Sequence, residues 1–525
     1  MATINSKKKV IRRKLNHEGA DVYSMSSLEA IFSKVLGSFF GESTNYENRD
    51  PETAYRELEE LISKVKDKDK EYVLKIAILG RMSNMISYPL NILAVCSNDP
   101  RFKGDNFTRF DGTSAMRYYY NNIVRRALDI TEILAVQKSL YNNRPIPSIM
   151  KRCLREKLES FDTFKLSKGL AKGHSVSLKD AICILRPKPA NDTMAKVYKD
   201  IIEGTLKVGA GKTQIKSALS QKEGLEEAVN HATIQNIVYG LVGIIDSGSM
   251  TNNIRDTIVS KLNNKKLILE SKLLPFRFLS AYNEVIKYRE EAISEALITA
   301  LEYSIENLKN LEGETAILVD ESGSMDYPVS KMGSTTARDI SNLLGAITFK
   351  KSNGDVFVFG NECKKFRGSR RDSVMSLANQ MRQYQVGCGT NIEKAINTIA
   401  EYADRFNIKY DNLIIISDND CYSCVNGDFR IGERNFWSVD NYSADKQVNN
   451  YMREGVFKQV WLNNLLGNDF AIVNTESNKK NLVTGFSEKF IDIIHTYKKL
   501  KSGDIKKVID EMLEEAKGEH NDNLY

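Results

Sequence analysis

Apolar side chains recur at helical spacing through the first 310 residues of this chain. Segments such as TAYRELEELISKVKD, TEILAVQKSLYNN and PSIMKRCLREKLESFD repeat apolar positions every three or four residues, the period that places them on one face of a helix. Short breaks that contain Pro or Gly separate the segments, for example at Pro51, Pro145 and Gly173, and such residues end or interrupt helices. This pattern predicts an almost entirely helical part over residues 25–310.

The pattern changes after residue 312, where short apolar runs alternate with helical segments. The runs ILVD, DVFVFG, LIIISD, QVWLNN and FAIVN have the length and composition of strands, and amphipathic segments from about Thr335 and from residue 391 separate the first three. Strands that alternate with helices indicate a parallel, doubly wound sheet. The two patterns together predict a multidomain α and α/β protein.

The helical part is expected to form antiparallel pairs that stack as a repeat array of HEAT type, which presents an extended concave surface. A chain of 525 residues is too long for one hydrophobic core. We predict a basic N-terminal tail, a helical-repeat domain, a doubly wound domain, and a charged C-terminal helix with a polar tail, over residues 1–16, 17–311, 312–500 and 501–525.

Composition favours a soluble protein of a reducing compartment. Apolar residues make up 42% of the chain, and no run approaches the roughly 18 uninterrupted apolar residues of a membrane span or follows the basic N-terminus as a signal peptide would. Seven cysteines, an odd number scattered along the chain, do not form a disulfide framework. We expect a cytoplasmic monomer that does not contact membranes.

The net charge of +7 is unevenly distributed. Residues 1–310 contain 48 Lys and Arg against 37 Asp and Glu, whereas the remainder contains 27 against 31. A basic excess in the helical part favours a polyanionic partner such as nucleic acid. Solvated charged helix faces are the alternative.

Metal-binding chemistry concentrates where the first strand run ends. The sequence ETAILVDESGSM places Asp320, Ser322 and Ser324 directly after an apolar run, and open α/β sheets bind ligands at the carboxyl ends of their strands. Oxygen ligands in this spacing suit Mg²⁺ or another hard divalent cation. Two hydroxyls and one or two carboxylates leave a coordination position free, which favours binding of an outside acidic group.

Two further loops complete this pattern. Thr390 precedes an amphipathic helix segment, and Asp418 ends the run LIIISD. Together the three loops resemble the metal-ion-dependent adhesion site of von Willebrand factor A domains, with Asp320, Ser322, Ser324, Thr390 and Asp418 on the matching positions. The alternative is a loop network that holds the sheet together without metal.

The helical part resembles a second family. The matching segments, in family order, are NHEGADVYSMSSLEAIFSKVLGSFFGESTNYEN, KIAILGRMSNMISYPLNILAVCS, IPSIMKRCLREKLESFDTFKLSKGLAKGHSVSLKDAICILRPKP and KLLPFRFLSAYNEV. With the metal-site domain behind them, they resemble the Ro autoantigen family, the sixty-kilodalton Ro proteins with a TROVE module. The resemblance implies a helical-repeat ring and a non-catalytic scaffold for small Y-like noncoding RNA and for single-stranded 3′ ends of misfolded RNA. An exoribonuclease and a carboxylate-donating protein are candidate partners.

The resemblance carries over to RNA-binding residues only in part. The corresponding neighbourhood of this chain offers Lys165, Lys168, Lys172, Lys179, Arg186 and Lys188. Arg186 stands where animal members have a histidine, and the loop around Gly169–Gly173 is longer, which leaves phosphate contact as the expectation and RNA selectivity open. Cations on one helical face neutralise phosphates and release counterions, and such contacts position RNA and read little sequence.

A second candidate RNA surface lies upstream. Arg117 precedes three consecutive tyrosines, and Arg125 and Arg126 follow them. Exposed RNA bases stack on aromatic rings while arginines hold the backbone. The alternative places the tyrosines in the core, since on a helix at least one of the three must face inward.

Competing signals are weaker. The segment from Val208 to Thr213 resembles a phosphate-binding loop around Lys212, but Leu206 stands where such a loop requires Gly. Cys421 and Cys424 alone supply too few ligands for structural zinc, and five histidines without a paired nucleophile give no support for a hydrolytic triad. We therefore expect a protein that is not an enzyme. A metal-dependent protein-interaction module on a helical scaffold is the alternative function.

Overall fold

The structure is a computed structural model that describes most of the chain in two compact units. The described residues are 14–15, 21–37, 51–108, 114–142, 144–170, 175–206, 215, 218–219, 224–329, 334–419, 444–465, 470–474, 479–485, 489–500 and 504–522. The α/β unit comprises Met1–Ser26, Lys309–Pro328 and Thr336–Phe486, and the helical unit comprises Ser27–Leu308, Val329–Thr335 and Ser487–Tyr525.

The helical unit is built from short helices joined by tight connections. Its helices α1 to α16, in chain order, are Ser27–Gly37, Pro51–Lys64, Lys70–Met82, Ser87–Asn98, Ala115–Ile123, Ala127–Tyr141, Ser148–Glu159, Thr163–Ser167, Leu178–Leu185, Asp192–Glu203, Leu225–His231, Ile234–Asp246, Asn252–Leu262, Lys265–Ser271, Pro275–Val285 and Glu291–Ser304. Short 3₁₀ turns at Asp67–Asp69, Pro100–Phe102, Gly104–Phe107, Ile286–Tyr288 and Ile305–Asn307 connect several of them.

Helix α7 illustrates how the sequence produces these elements. Met150, Cys153, Leu154 and Leu158 recur at helical spacing, and all four are buried. Neighbouring helices pack on each other, as α3 does on α4 and α15 on α16. The predicted helical array is confirmed. That the array closes into a ring stays a prediction.

In the α/β unit, a six-stranded sheet carries helices on both faces. Strands β1 to β9 of the chain are Lys14–Leu15, Asp21–Ser24, Leu311–Asp320, Ser352–Phe359, Cys363–Lys365, Tyr410–Ser417, Phe457–Asn464, Phe470–Ala471 and Lys480–Thr484. Helices α17 to α20 of this unit are Ala337–Lys351, Val374–Arg382, Ile392–Phe406 and Ala444–Arg453, and a 3₁₀ turn spans Gly323–Asp326.

The strand order of the sheet is β5-β4-β3-β6-β7-β9, and every neighbouring pair is parallel except the edge pair β4 and β5. Ala316 and Leu318 of β3 join a buried cluster with Ile396 of α19. Val319 faces the other side, where an added Cβ at Gly345 of α17 would lie 2.5 Å from Val319 Cγ2. The predicted doubly wound sheet is therefore confirmed.

This topology determines where a ligand can bind. From β3 the chain first crosses to β4 and then returns to β6 on the opposite side. Such a reversal opens a crevice at the carboxyl ends of the two strands. Strand β3 ends at Asp320 and β6 ends at Ser417, so the predicted metal residues lie at this crevice.

The two units differ from the predicted domain boundaries at both ends of the chain. Strands β1 and β2 belong to the α/β unit, because Tyr23 pairs with Ala471 in a separate three-stranded sheet. Helices α21 and α22, Lys489–Leu500 and Ile505–Asp522, belong to the helical unit. There α22 packs on α3, where Tyr72 Oη donates to Asp510 at 2.9 Å.

One predicted strand was placed wrongly. The run FAIVN contributes only β8, which pairs antiparallel with β2 and stays outside the six-stranded sheet. The sixth strand is β9, which lies parallel to β7. Its segment, Lys480–Thr484, is too short and polar for apolar patterning to indicate. Among the described residues, every helix is too short or too polar to cross a membrane.

Candidate functional site

The carboxylate of Asp320 is the fixed centre of the candidate metal site. Its side chain is fully buried, its Oδ1 accepts a hydrogen bond from the Ser322 amide at 2.9 Å, and its Oδ2 accepts one from Ser417 Oγ at 2.5 Å. Burial raises the pKa of Asp320, and the hydrogen bonds from Ser322 and Ser417 oppose that rise. A cation beside such a carboxylate would favour its charged form.

The two serine hydroxyls of the turn lie side by side. Ser322 Oγ and Ser324 Oγ are 3.1 Å apart. Ser322 is fully buried and Ser324 is half-buried. The turn therefore presents two hydroxyl oxygens beside the Asp320 carboxylate, with Ser324 on the more open side.

The Thr390 loop is tied to this turn through its backbone. The Gly323 amide donates to the Cys388 carbonyl at 2.7 Å, and a Cβ at Gly323 would lie 3.3 Å from that oxygen. The loop then enters α19 through Asn391, whose Oδ1 accepts from the Lys394 amide at 3.0 Å. Thr390 is buried between these two anchors, so its position depends on both.

The Asp418 loop is tied to the turn through Ser417. Ser417 Oγ bonds Asp320 and accepts from the Asn419 amide at 3.1 Å. Asp418 lies between these two residues and is fully buried. The three predicted loops thus converge on one crevice.

The donor set of this crevice fits Mg²⁺ rather than a softer metal. Its side chains are carboxylates and hydroxyls, which hard divalent cations prefer. In the part of the chain that the structure describes, no group of three or more His, Cys, Asp or Glu side chains could hold a metal ion. Metal binding would consequently depend on the hydroxyls of Ser322, Ser324 and Thr390.

A buried network behind the turn was not predicted from the sequence. An Arg338 guanidinium nitrogen donates to the Ser322 carbonyl at 2.8 Å, and Arg338 pairs with Glu321 at 3.5 Å and with Asp326 at 3.1 Å. Asn342 donates to the Glu321 carboxylate. Burial raises the pKa of Glu321 to about 7, against the opposing effects of Asn342 and Arg338. The acidic residue inside the turn is the one sequence signal for this network.

The first candidate RNA surface keeps its cations exposed. Lys165, Lys168, Lys179, Arg186 and Lys188 are all exposed, and among the described residues none of these side chains has a carboxylate oxygen within 4.0 Å. The remaining predicted residue, Lys172, lies outside the described residues. Cations without a protein partner are available to phosphates.

The segment that carries Arg186 and Lys188 is held against α7. Arg155 Nε donates to the Leu185 carbonyl at 2.7 Å, and the Lys188 amide donates to Glu159 Oε1 at 2.7 Å. Arg186 itself caps α9 with a positive φ of 51°. The backbone of this segment is therefore fixed while both cationic side chains extend into solvent.

The second candidate surface is largely structural. Tyr119 and Tyr120 are buried, and only Tyr118, 38% exposed, remains open to a base. Arg117 pairs with Glu156 at 2.8 Å. Arg125 is exposed but uses its guanidinium on the Asn122 carbonyl at 3.2 Å. This surface offers less to RNA than the tyrosine run predicts.

Arg126 has a defined structural role. Its guanidinium bonds Asp129 at 2.6 Å, and Asp129, which is fully buried, also bonds Arg81 at 2.8 Å. Two guanidinium groups thus neutralise one buried carboxylate, which burial otherwise destabilises.

Lys157 joins the two candidate surfaces, and sequence analysis missed it. Lys157 Nζ donates to the Asn121 carbonyl at 3.2 Å, one residue from the Asn122 carbonyl that Arg125 binds. Burial lowers the pKa of Lys157, and the positive charges of Lys165 and Arg125 lower it further. The like charges are therefore close enough to repel each other, a repulsion that a polyanion would relieve.

The competing sequence signals fall outside the described residues. Lys212 and its neighbours 207–214 lie there, as do Cys421 and Cys424. Both alternatives stay untested predictions.

The whole chain was compared with known proteins. One solved structure that it matches is the crystal structure of the Ro (RSR) protein of Deinococcus radiodurans, with a TM-score of 0.60 over 93% of this chain and 99% of that one. The chain therefore has a Ro-type fold. Sequence identity is 13%, a level at which the likeness concerns the fold alone. No protein-family model and no curated protein matches the sequence.

Proposed function

We propose that this protein is a non-catalytic, cytoplasmic RNA-binding scaffold that holds small structured noncoding RNA and single-stranded 3′ ends. The observation that carries the proposal is the set of exposed cations without carboxylate partners on α8, α9 and the segment after α9. The Ro-type fold of the whole chain adds support. RNA quality control or ribonucleoprotein assembly is the setting we propose, with an exoribonuclease as a candidate partner.

The physical basis is phosphate neutralisation. Each Lys or Arg that contacts a phosphate releases condensed counterions, so affinity falls steeply as salt rises. Cations on fixed backbone, such as Arg186 and Lys188, make such contacts without first ordering the chain. These contacts position RNA but read little sequence, which suits a scaffold that accepts several RNAs.

For the α/β unit we propose a Mg²⁺-dependent docking site. Asp320, Ser322, Ser324, Thr390 and Asp418 would hold the ion, which supplies a positive charge with one coordination position for an outside carboxylate. The convergence of the three loops on one crevice supports this assignment. A protein that works only through this site, as a metal-dependent interaction module, is the alternative function.

Retention on immobilised small RNA tests the main proposal. We expect the wild-type protein to bind at about 50 mM salt and to elute as salt rises. A triple charge-reversal variant, Lys165→Glu, Lys168→Glu and Lys188→Glu, should elute far earlier. All three side chains are exposed, so the variant should fold.

A matched control separates local contacts from overall charge. Arg367, Arg371 and Lys409 are exposed cations of the α/β unit, and their change to Glu alters the net charge by the same amount. We expect this control to elute with the wild type. Absence of retention of the wild type at low salt would refute RNA binding, and equal loss in both variants would refute the proposed surface.

A further inference from the structure

Phe164 is an exposed aromatic side chain among unpaired cations. It is 52% exposed, and Lys165 and Lys168 of the same surface are exposed on either side of it in sequence. The Lys168 ammonium lies 4.1 Å from the centroid of the Phe164 ring, a cation–π distance. Single exposed apolar residues are ordinary in proteins, but this one adjoins the proposed phosphate contacts.

The backbone under Phe164 is rigidly seated. Asp162 caps α8 by accepting from the Lys165 amide at 2.7 Å, and the Phe164 carbonyl accepts from Ser167 Oγ at 2.8 Å. Leu166 is fully buried. At the end of the turn, a Cβ on Gly169 would lie 2.7 Å from Ala127 Cβ, so the chain there has no room to shift. The ring is thus presented on a fixed support, which reduces the entropy that binding would cost.

We propose that Phe164 forms a stacking site for one unpaired base, with Lys165 and Lys168 holding the adjoining phosphates. This inference rests on the proposed RNA-binding function and deepens it, because it makes this surface selective for single-stranded over fully paired RNA. Stacking on an aromatic ring accepts any base, and paired bases inside a helix cannot reach a side chain in this way. Charge complementarity favours RNA over an apolar protein segment as the occupant.

Fluorescence anisotropy with matched strands tests the stacking site. The probes are an unstructured RNA of about ten nucleotides, an abasic strand with the same number of phosphates, and a blunt duplex. We expect Phe164→Ala to weaken binding of the base-bearing strand roughly ten- to hundredfold, to leave the other two probes unchanged, and Phe164→Trp to restore binding.

Phe406 provides a matched control. It is 54% exposed and has the Arg405 guanidinium 5.6 Å from its ring centroid, but it lies on α19 of the α/β unit. Phe406→Ala should bind all three probes as the wild type does. Thermal melting of both variants should match the wild type, because both rings are exposed.

The outcomes distinguish this inference from the function beneath it. Wild-type protein that binds no strand at low salt would overturn both. If the wild type binds RNA and Phe164→Ala binds the base-bearing strand equally well, the stacking site is wrong and RNA binding stands. Equal weakening on the abasic strand would also refute stacking, since it would show that the ring only supports the phosphate contacts.

Discussion

Replacement of Asp320 by Asn should affect stability in opposite directions with and without Mg²⁺. The carboxylate is fully buried, and burial destabilises its charged form. Asn retains an oxygen for the Ser322 amide and can donate to Ser417 Oγ, while the buried charge is lost. Without a divalent cation, we expect the free energy of unfolding of the α/β unit to stay equal or rise.

With Mg²⁺ the wild type should gain stability that the variant does not. An ion at a concentration 100-fold above its Kd stabilises the folded state by about 2.7 kcal/mol. For a unit of this size, that corresponds to a rise in melting temperature of about 5 to 10 °C. Asp320→Asn removes the one carboxylate that bonds both other parts of the crevice, so its Mg²⁺-induced shift should vanish.

Tryptophan fluorescence can follow this unit selectively. The chain has two tryptophans, Trp437 and Trp461, and both fall within the α/β unit by sequence range. Trp461 is buried on β7. Melting curves recorded by this signal, with and without Mg²⁺, give the shift for each variant without interference from unfolding of the helical unit.

Asp445→Asn is the matched control. Asp445 is a nearly buried carboxylate of the same unit that pairs with buried Lys480 at 2.5 Å, away from the three loops. Its loss leaves the lysine charge unpaired and should cost about 3 to 5 kcal/mol equally with and without Mg²⁺. A wild-type Mg²⁺ shift in Asp320→Asn would refute the site. No shift in the wild type would favour the metal-free loop network.

Four further predictions concern the remaining contacts. On single-stranded RNA, five phosphate contacts should give a log–log salt slope near −3.5, and anisotropy titrations of the triple charge-reversal variant should give about −1.5; equal slopes would contradict the assignment. Asp129→Asn leaves Arg81 and Arg126 without their buried partner and should lower the free energy of unfolding in urea by about 3 to 5 kcal/mol, and a loss under about 1 kcal/mol would disprove this. Arg338→Gln should weaken Mg²⁺ binding roughly tenfold by calorimetry without altering RNA affinity. Lys157→Gln keeps a donor for the Asn121 carbonyl and removes a repelled charge, so RNA affinity should fall while thermal stability holds or rises; a fall in both would show a structural role.

Local patterns in the sequence were sufficient for the architecture and for the metal loops. Apolar spacing separates a helical part from a doubly wound part because helix and strand periods are properties of neighbouring residues. Asp320 follows an apolar run, and Thr390 precedes an amphipathic helix. Parallel strands bring such loops to one edge, so their convergence could be expected before the structure was known.

Partners that are distant in sequence were decided by the tertiary structure alone. Tyr23 and Ala471 pair across most of the chain, and Asp510 of the last helix meets Tyr72. No period in the sequence reports such contacts, because they depend on which surfaces the folded elements bring together. The same holds for Arg338, whose hydrogen bond to the metal turn comes from a helix beyond it in sequence.

The sequence by itself therefore determined the two fold types, the oxygen-rich loops and the basic character of the helical part. The tertiary structure decided which cations remain available. Arg126 is consumed by a buried carboxylate and Tyr120 by the core, while Lys157 unites two surfaces that look separate in the sequence. The physical reason is that a side chain's charge and shape are local, whereas its burial and its partners are set by the whole fold.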